Sequence, residues 1–123
     1  MSKDCKFDLE DRLVGFAARC IKVATSLPAN AAGHHLMGQL TRSGTSPALN
    51  YGEAQSAESR RDFIHKMKIC LKELRETVVC LKIIIHAELL GKERLEGLVK
   101  EANELISIFV KSISTAKKNM NKE

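Results

Sequence analysis

The stretch from Ser59 to Leu90, SRRDFIHKMKICLKELRETVVCLKIIIHAELL, decides the fold of this 123-residue chain. Seven of its residues recur at alternating intervals of four and three, which is the spacing of the buried seam of a packed helix. They are Phe63, Met67, Cys70, Leu74, Thr77, Leu81 and Ile84. Ser59 followed by Asp62 resembles a capping box, and Gly91 is a natural helix stop. The sequence therefore predicts a helix over residues 59–90.

Three further helices are predicted around this one. The first covers residues 8–27, with Asp8 as its N-cap and Pro28 at its end. The second covers residues 30–57, where glycines and Pro47 predict either a break near residues 43–47 or an unusually close packing, and we expect one kinked helix. The fourth covers residues 92–117, and we expect the tail beyond it to be frayed. Four long helices with short connections predict one all-α domain, an up-down-up-down antiparallel four-helix bundle.

Composition narrows the class of protein. Hydrophobic residues make up 44% and charged residues 28%, which is ordinary for a globular chain and too apolar for a disordered one. The formal net charge of +5 permits an anionic partner without requiring one. Four cysteines without a CxxC pair favour a reducing compartment, and no apolar stretch is long enough to span a bilayer. We therefore expect a cytoplasmic protein with no membrane contact.

The sequence lacks the motifs of common catalytic and metal centres. It has no HExxH, GxSxG, Walker or GxGxxG motif. No Glu is followed three residues later by His, as di-iron bundles require, and the adjacent His34 and His35 diverge on a helix. We expect no catalytic residues, no metal site and no cofactor.

Two outward sectors of the third helix predict contacts with other molecules. One sector is basic, and we expect it to contact RNA or DNA backbone, because neutralised phosphates release condensed counterions. Its candidate residues are Arg61, Lys68, Lys72, Arg75 and Lys82. The other sector is apolar and predicts a subunit interface, because a helix that is apolar all round needs partners all round. Its candidate residues are Ile69, Val79, Cys80, Ile83 and Ala87.

A polar stripe along the second helix predicts hydrogen bonds to a neighbouring helix. The stripe consists of Arg42, Ser46, Asn50 and Glu53. Its candidate partners on the third helix are Lys72, Glu73 and Glu76. We expect this stripe to hold helix packing rather than a ligand, because no pocket chemistry converges on it.

The same region resembles the bacterial four helix bundle proteins, also called 23S ribosomal RNA intervening-sequence proteins. The resemblance is strong over residues 36–90 and extends to the outer helices only in pattern. It is carried by Arg42-Ser43-Gly44-Thr45-Ser46, Asn50-Tyr51, Glu53-Ala54, Ala57-Glu58-Ser59, Asp62-Phe63-Ile64, Lys66, Ile69, Lys72-Glu73 and Glu76-Thr77. Departures from the family pattern occur at Pro47, Leu49 and Val79-Cys80.

The resemblance implies a small bundle without known enzymatic activity. A related branch contains accessory proteins of diversity-generating retroelements, which form basic pentameric barrels and contact nucleic acid and a reverse transcriptase. The resemblance thus adds homo-oligomerisation, with a pentamer as the implied assembly. We expect a homo-oligomeric bundle that binds RNA or DNA backbone without reading sequence. The alternative is a scaffold or adaptor that binds another protein through the apolar sector and has no nucleic-acid role.

Overall fold

The computed structural model describes residues 8–122, and these form four helices and no strand. The helices are α1 (Leu9–Ala24), α2 (Ala31–Gln55), α3 (Arg60–His86) and α4 (Lys92–Asn121). Each helix packs on the next in the chain, and α4 closes the ring against α1. The predicted four-helix bundle is confirmed.

Contacts between helices show that neighbours run antiparallel. Lys66 near the start of α3 pairs with Glu53 near the end of α2, and Thr77 farther along α3 contacts Ser43 farther back in α2. Between α4 and α1, Arg94 reaches Ser26 just beyond the end of α1. The seam predicted on α3 lies in the core, where six of its seven members are buried and Phe63 is half-buried.

Three helices begin at side-chain caps. Asp8 accepts from the Asp11 amide at 3.2 Å, Asn30 from the Gly33 amide at 2.8 Å, and Ser59 from the Asp62 amide at 3.0 Å. Each cap satisfies one of the amides that the first turn leaves without a partner, typically stabilising the helix by about 1 kcal/mol. These caps place α1, α2 and α3 within a residue of their predicted starts.

The helix ends differ more from the expectation. α1 ends at Ala24 and α3 at His86, short of the predicted residues 27 and 90. After α3, Glu88 adopts φ 59°, and the Leu89 amide donates to the Ile84 carbonyl at 3.1 Å. This left-handed turn ends α3 before Gly91, which is instead the N-cap of α4. α4 continues to Asn121, beyond its predicted end at residue 117.

α2 is continuous through Pro47. A Cβ on Gly44 would lie 2.5 Å from the Cβ of Cys20, so glycine here permits the close approach of α1 and α2. Pro47 is buried, and its carbonyl accepts from the Cys70 thiol at 3.4 Å. Gly44 and Pro47 therefore serve close packing with α1 and α3, and the helix does not break. Within the described chain no helix has the length and apolarity to cross a membrane.

Candidate nucleic-acid interface

The basic sector predicted from sequence forms the outer face of α3. Its residues recur at intervals of seven, four and three, so they project from one side of the helix, away from the core seam. All five candidates are exposed: Arg61, Lys68, Lys72, Arg75 and Lys82. At about 1.5 Å of rise per residue, they cover about 31 Å of the helix.

The cations on this face differ from those that hold the bundle together. Arg12 on α1 pairs with Glu101 on α4 at 2.7 Å, and Lys66 on α3 pairs with Glu53 on α2 at 2.6 Å. Within residues 8–122, none of the five candidates forms an ion pair or a side-chain hydrogen bond. Their charges are therefore available to a partner from outside the chain.

Two acidic residues of α3 are turned towards α2. Arg42 donates to Glu73 and to Glu76, each at 2.8 Å. The hydrogen bond from Arg42 lowers the pKa of Glu76, and the same contacts raise the pKa of Arg42. The Glu73 side chain is only 8% exposed. Arg42 therefore offsets part of the negative charge beside the basic face, and Glu73 is withdrawn from the surface.

The remaining members of the polar stripe behave differently from one another. Asn50 donates to the Ser46 hydroxyl at 2.9 Å and to its carbonyl at 3.0 Å, so this pair bonds within α2. The prediction of a hydrogen bond between helices was wrong for these two residues. Lys72 takes no part in the network within the described chain, although its charge contributes to the lowered pKa of Glu76.

Sequence reasoning missed the central contact between α2 and α3. The hydroxyls of Ser43 and Thr77 are fully buried and hydrogen-bonded at 3.0 Å, and the Thr77 hydroxyl also bonds the Glu73 carbonyl at 2.8 Å. Ser43 lies one residue from Arg42, so a second polar residue beside the stripe was the available signal. The position of Thr77 in an otherwise apolar seam was another.

A groove of about 660 Å³ joins the two predicted sectors of α3. Its basic end carries Lys68, Lys72 and Arg75, and its apolar end carries Val79 and Ile83. Residues near the start of α2 line the opposite wall, namely His35, Leu36 and Gln39. The basic and apolar sectors are therefore one continuous surface.

The candidate interface residues are unequally accessible. Val79 is 57% and Ile83 48% exposed, whereas Cys80 is 3% exposed and belongs to the core of the single chain. Ile69 is half-buried, and Ala87 is exposed as the C-cap of α3. Cys80 faces inward because it follows the buried Thr77 by three residues on the same side of α3. Val79 and Ile83 thus supply most of the apolar contact area.

A smaller groove of about 340 Å³ extends the basic face towards α4. It is lined by Arg61, His65 and Lys68 from α3 and by Lys117 from α4. Lys117 was missed from sequence because the helical wheel of α3 does not include its neighbour. The antiparallel packing of α3 and α4 brings the end of one beside the start of the other.

Within the described chain no Phe or Tyr side chain is exposed for stacking on bases. Phe16 and Phe109 are buried, while Tyr51 and Phe63 are half-buried, and Tyr51 meets the Phe109 ring edge at 6.1 Å between centroids. The arrangement on α3 therefore suits contacts to phosphates rather than to bases.

Within residues 8–122 we find neither a cluster of metal-ligating side chains nor a cysteine with a lowered pKa. No group of three or more metal-ligating side chains converges there. Burial raises the pKa of Cys20 and of Cys70 to about 12, so both thiols stay protonated near neutral pH. Cys80 is also buried, with its pKa raised by the same cause.

Comparison with known proteins identifies the family of this chain. The family model for 23S rRNA-intervening sequence protein matches residues 7–111. A crystal structure of a protein with unknown function from the S23 ribosomal protein family, from Bacteroides thetaiotaomicron VPI-5482, is 32% identical with a TM-score of 0.81. The match covers 86% of this chain and 98% of that one. No curated protein matches. The chain therefore belongs to the 23S rRNA-intervening sequence protein family.

Proposed function

We propose that this protein is a non-enzymatic, self-associating bundle that binds the backbone of RNA or DNA through the outer face of α3. The observation that carries the proposal is that these cations fall into two groups: those paired with a carboxylate on a neighbouring helix, and those without an ion-pair partner in the described chain. Arg12, Arg42 and Lys66 are neutralised by carboxylates between helices, whereas the five cations of the α3 face have no ion-pair partner in the described chain.

Three features support backbone contact in particular. The cations recur along about 31 Å of one helix, a spacing that suits a line of phosphates. Lys117 on α4 widens the same surface. Within residues 8–122 the Phe and Tyr rings are buried or half-buried, so bases would not stack on them. Binding of this kind is electrostatic and indifferent to sequence.

The test is binding of the purified protein to labelled duplex DNA and structured RNA across a salt series. Five phosphate contacts per chain give a log-log slope of about −4.5 on duplex DNA. Affinity then falls about 500-fold between 50 and 200 mM salt. The triple variant Lys68→Gln, Arg75→Gln, Lys82→Gln removes three contacts and reduces the slope to about −1.8.

A matched control separates this face from general charge. The variant Lys22→Gln, Lys100→Gln, Lys111→Gln makes the same change in net charge at exposed sites on α1 and α4. We expect it to keep the wild-type slope. Equal slopes for both triple variants would reject the α3 face as the contact surface. Absence of binding even at low salt would leave the protein scaffold as the better function, acting through Val79 and Ile83.

A further inference from the structure

Large apolar side chains that remain exposed are concentrated on two faces of the bundle. Four of the six in the described chain lie there: Val14 and Ile21 on α1, 53% and 41% exposed, and Val79 and Ile83 on α3. α1 and α3 each pack on α2 and α4 but not on one another, so the two faces stand at opposite corners. One chain therefore carries two separate apolar faces that point away from each other.

The two faces have similar residue spacings and carry one pair of opposite charges. On α1, Asp11 precedes the exposed Val14, Ala18 and Ile21, at intervals of three, four and three. On α3, Lys72 precedes Val79 and Ile83. From Asp11 to Ile21 the rise is about 15 Å, and from Lys72 to Ile83 it is about 16.5 Å. When the helices run parallel, Asp11 meets Lys72 while the small Ala18 faces the larger Val79.

We propose that the outer face of α1 docks on the outer face of α3 of a second copy, with Asp11 against Lys72 and Ile21 against Ile83. This inference rests on the self-association in the proposed function and names the surface that covers the apolar end of the groove. It uses Lys72, one of the five cations, so at most four remain for phosphates, and the slope expected of the assembled protein on duplex DNA falls from about −4.5 to about −3.6.

The charges of the isolated chain favour this occupant. Asp11 lies beside Asp8, and that contact, together with the repulsion between the two carboxylates, raises the pKa of Asp11. A lysine from a second copy would relieve the repulsion. An antiparallel alignment would instead place Asp11 over Ile83 and remove its charge from water without a partner, which is unfavourable.

The docking has a consequence for symmetry. α1 and α3 run in the same direction within one bundle, so a parallel contact leaves neighbouring bundles parallel. Because each copy uses two different faces, the contact is heterologous and does not end at a dimer of identical patches. Copies related in this way close into a ring when the rotation between them permits it.

Mixing two variants tests this arrangement. Ile21→Lys damages only the α1 face and Ile83→Lys only the α3 face, and circular dichroism checks that each variant folds. Each variant alone should be a monomer of 13.7 kDa by light scattering. Mixed in equal amounts, they retain one intact α1 face and one intact α3 face, and they should form a 1:1 dimer of twice that mass. A mixture that stays monomeric would overturn the docking.

A charge exchange provides an independent test that keeps the apolar contacts. Asp11→Lys and Lys72→Asp should each reduce the mass of the assembly, and the double variant should restore it. An assembly that Ile83→Lys breaks but Ile21→Lys leaves intact would reject the docking while leaving self-association in place. A wild-type chain that is monomeric throughout would reject both. The salt series on nucleic acid is read separately, so that part of the proposed function stands or falls alone.

Discussion

Removal of Arg42 should destabilise the fold because the nearly buried carboxylate of Glu73 loses its hydrogen-bond donor. In the variant Arg42→Met, Glu73 keeps its buried position but loses the donor that now lies 2.8 Å away. Loss of a hydrogen bond to such a charged group costs about 1.5–3 kcal/mol. The contact with Glu76 contributes less, about 0.5 kcal/mol, because the two side chains are 52% and 37% exposed and water screens their attraction. We expect a total loss of about 2.5 kcal/mol.

Thermal and urea unfolding at a fixed protein concentration measure this loss. For a chain of this size it corresponds to a fall of about 10 °C in Tm. The double variant Arg42→Met, Glu73→Gln should recover part of the stability, because the neutral amide leaves no uncompensated charge. Lys66→Met is the matched control: its partner Glu53 is 59% exposed, so the loss should stay near 0.5 kcal/mol. Equal losses for Arg42→Met and Lys66→Met would refute the argument from burial.

The same variant has a signature in pH. The pKa of Glu76 is lowered below its usual 4.5 in the folded state, so its contact with Arg42 stabilises the fold above that pH. This contribution is lost as the pH falls through the folded pKa. The stability difference between wild type and Arg42→Met should therefore narrow in acid. A difference that widens below pH 4.5 would contradict the assigned direction.

Three further predictions concern positions where the backbone or burial decides the outcome. Glu88→Gly should stabilise by about 1 kcal/mol in thermal unfolding, because φ 59° strains any residue with a Cβ; a lower Tm would contradict this. Gly44→Ala should destabilise by about 2 kcal/mol through its clash with Cys20, whereas Gly52→Ala, with open space around it, should stabilise by about 1 kcal/mol. Peptide-resolved labelling should find Cys20 and Cys70 unreactive at pH 8 until the protein unfolds, since their pKa values are about 12; rapid labelling of the native protein would show that the thiols are accessible.

The positions of the helices were predictable because their signals are local. A seam at intervals of four and three, with a serine three residues before an aspartate, fixes the phase and the start of α3. The end of α3 was not predictable in the same way. Glu88 takes the left-handed position that glycine usually occupies, and the turn is held by amides of Glu88 and Leu89 that donate to carbonyls of the last turn. Because these hydrogen bonds join backbone atoms, they require few particular residue types and are hard to recognise from sequence.

The continuity of α2 shows a second limit to prediction from sequence. Gly44 and Pro47 each weaken an isolated helix, and sequence rules based on propensity therefore favour a kink or a break. The helix continues because tertiary packing outweighs propensity: Cys20 occupies the space beside Gly44, and Cys70 donates to the carbonyl of Pro47. The partners belong to other helices, so the compensation becomes visible only once the bundle is assembled.

Some features of the candidate site were predictable because they depend on one helix, and others were not because they depend on neighbouring helices. The basic and apolar sectors of α3 could be derived from one helical wheel, because they depend on a single helix. Their union into one groove, the burial of Cys80 and the addition of Lys117 all depend on where α2 and α4 lie. The proposed pairing of Asp11 with Lys72 is a contact between chains. In the sequence it is visible only as two similar residue spacings, on helices that do not contact each other within one copy. If the mixed variants form a dimer, the same contact explains the unpaired charge of Lys72 and four of the six large aliphatic side chains that are exposed in the described chain.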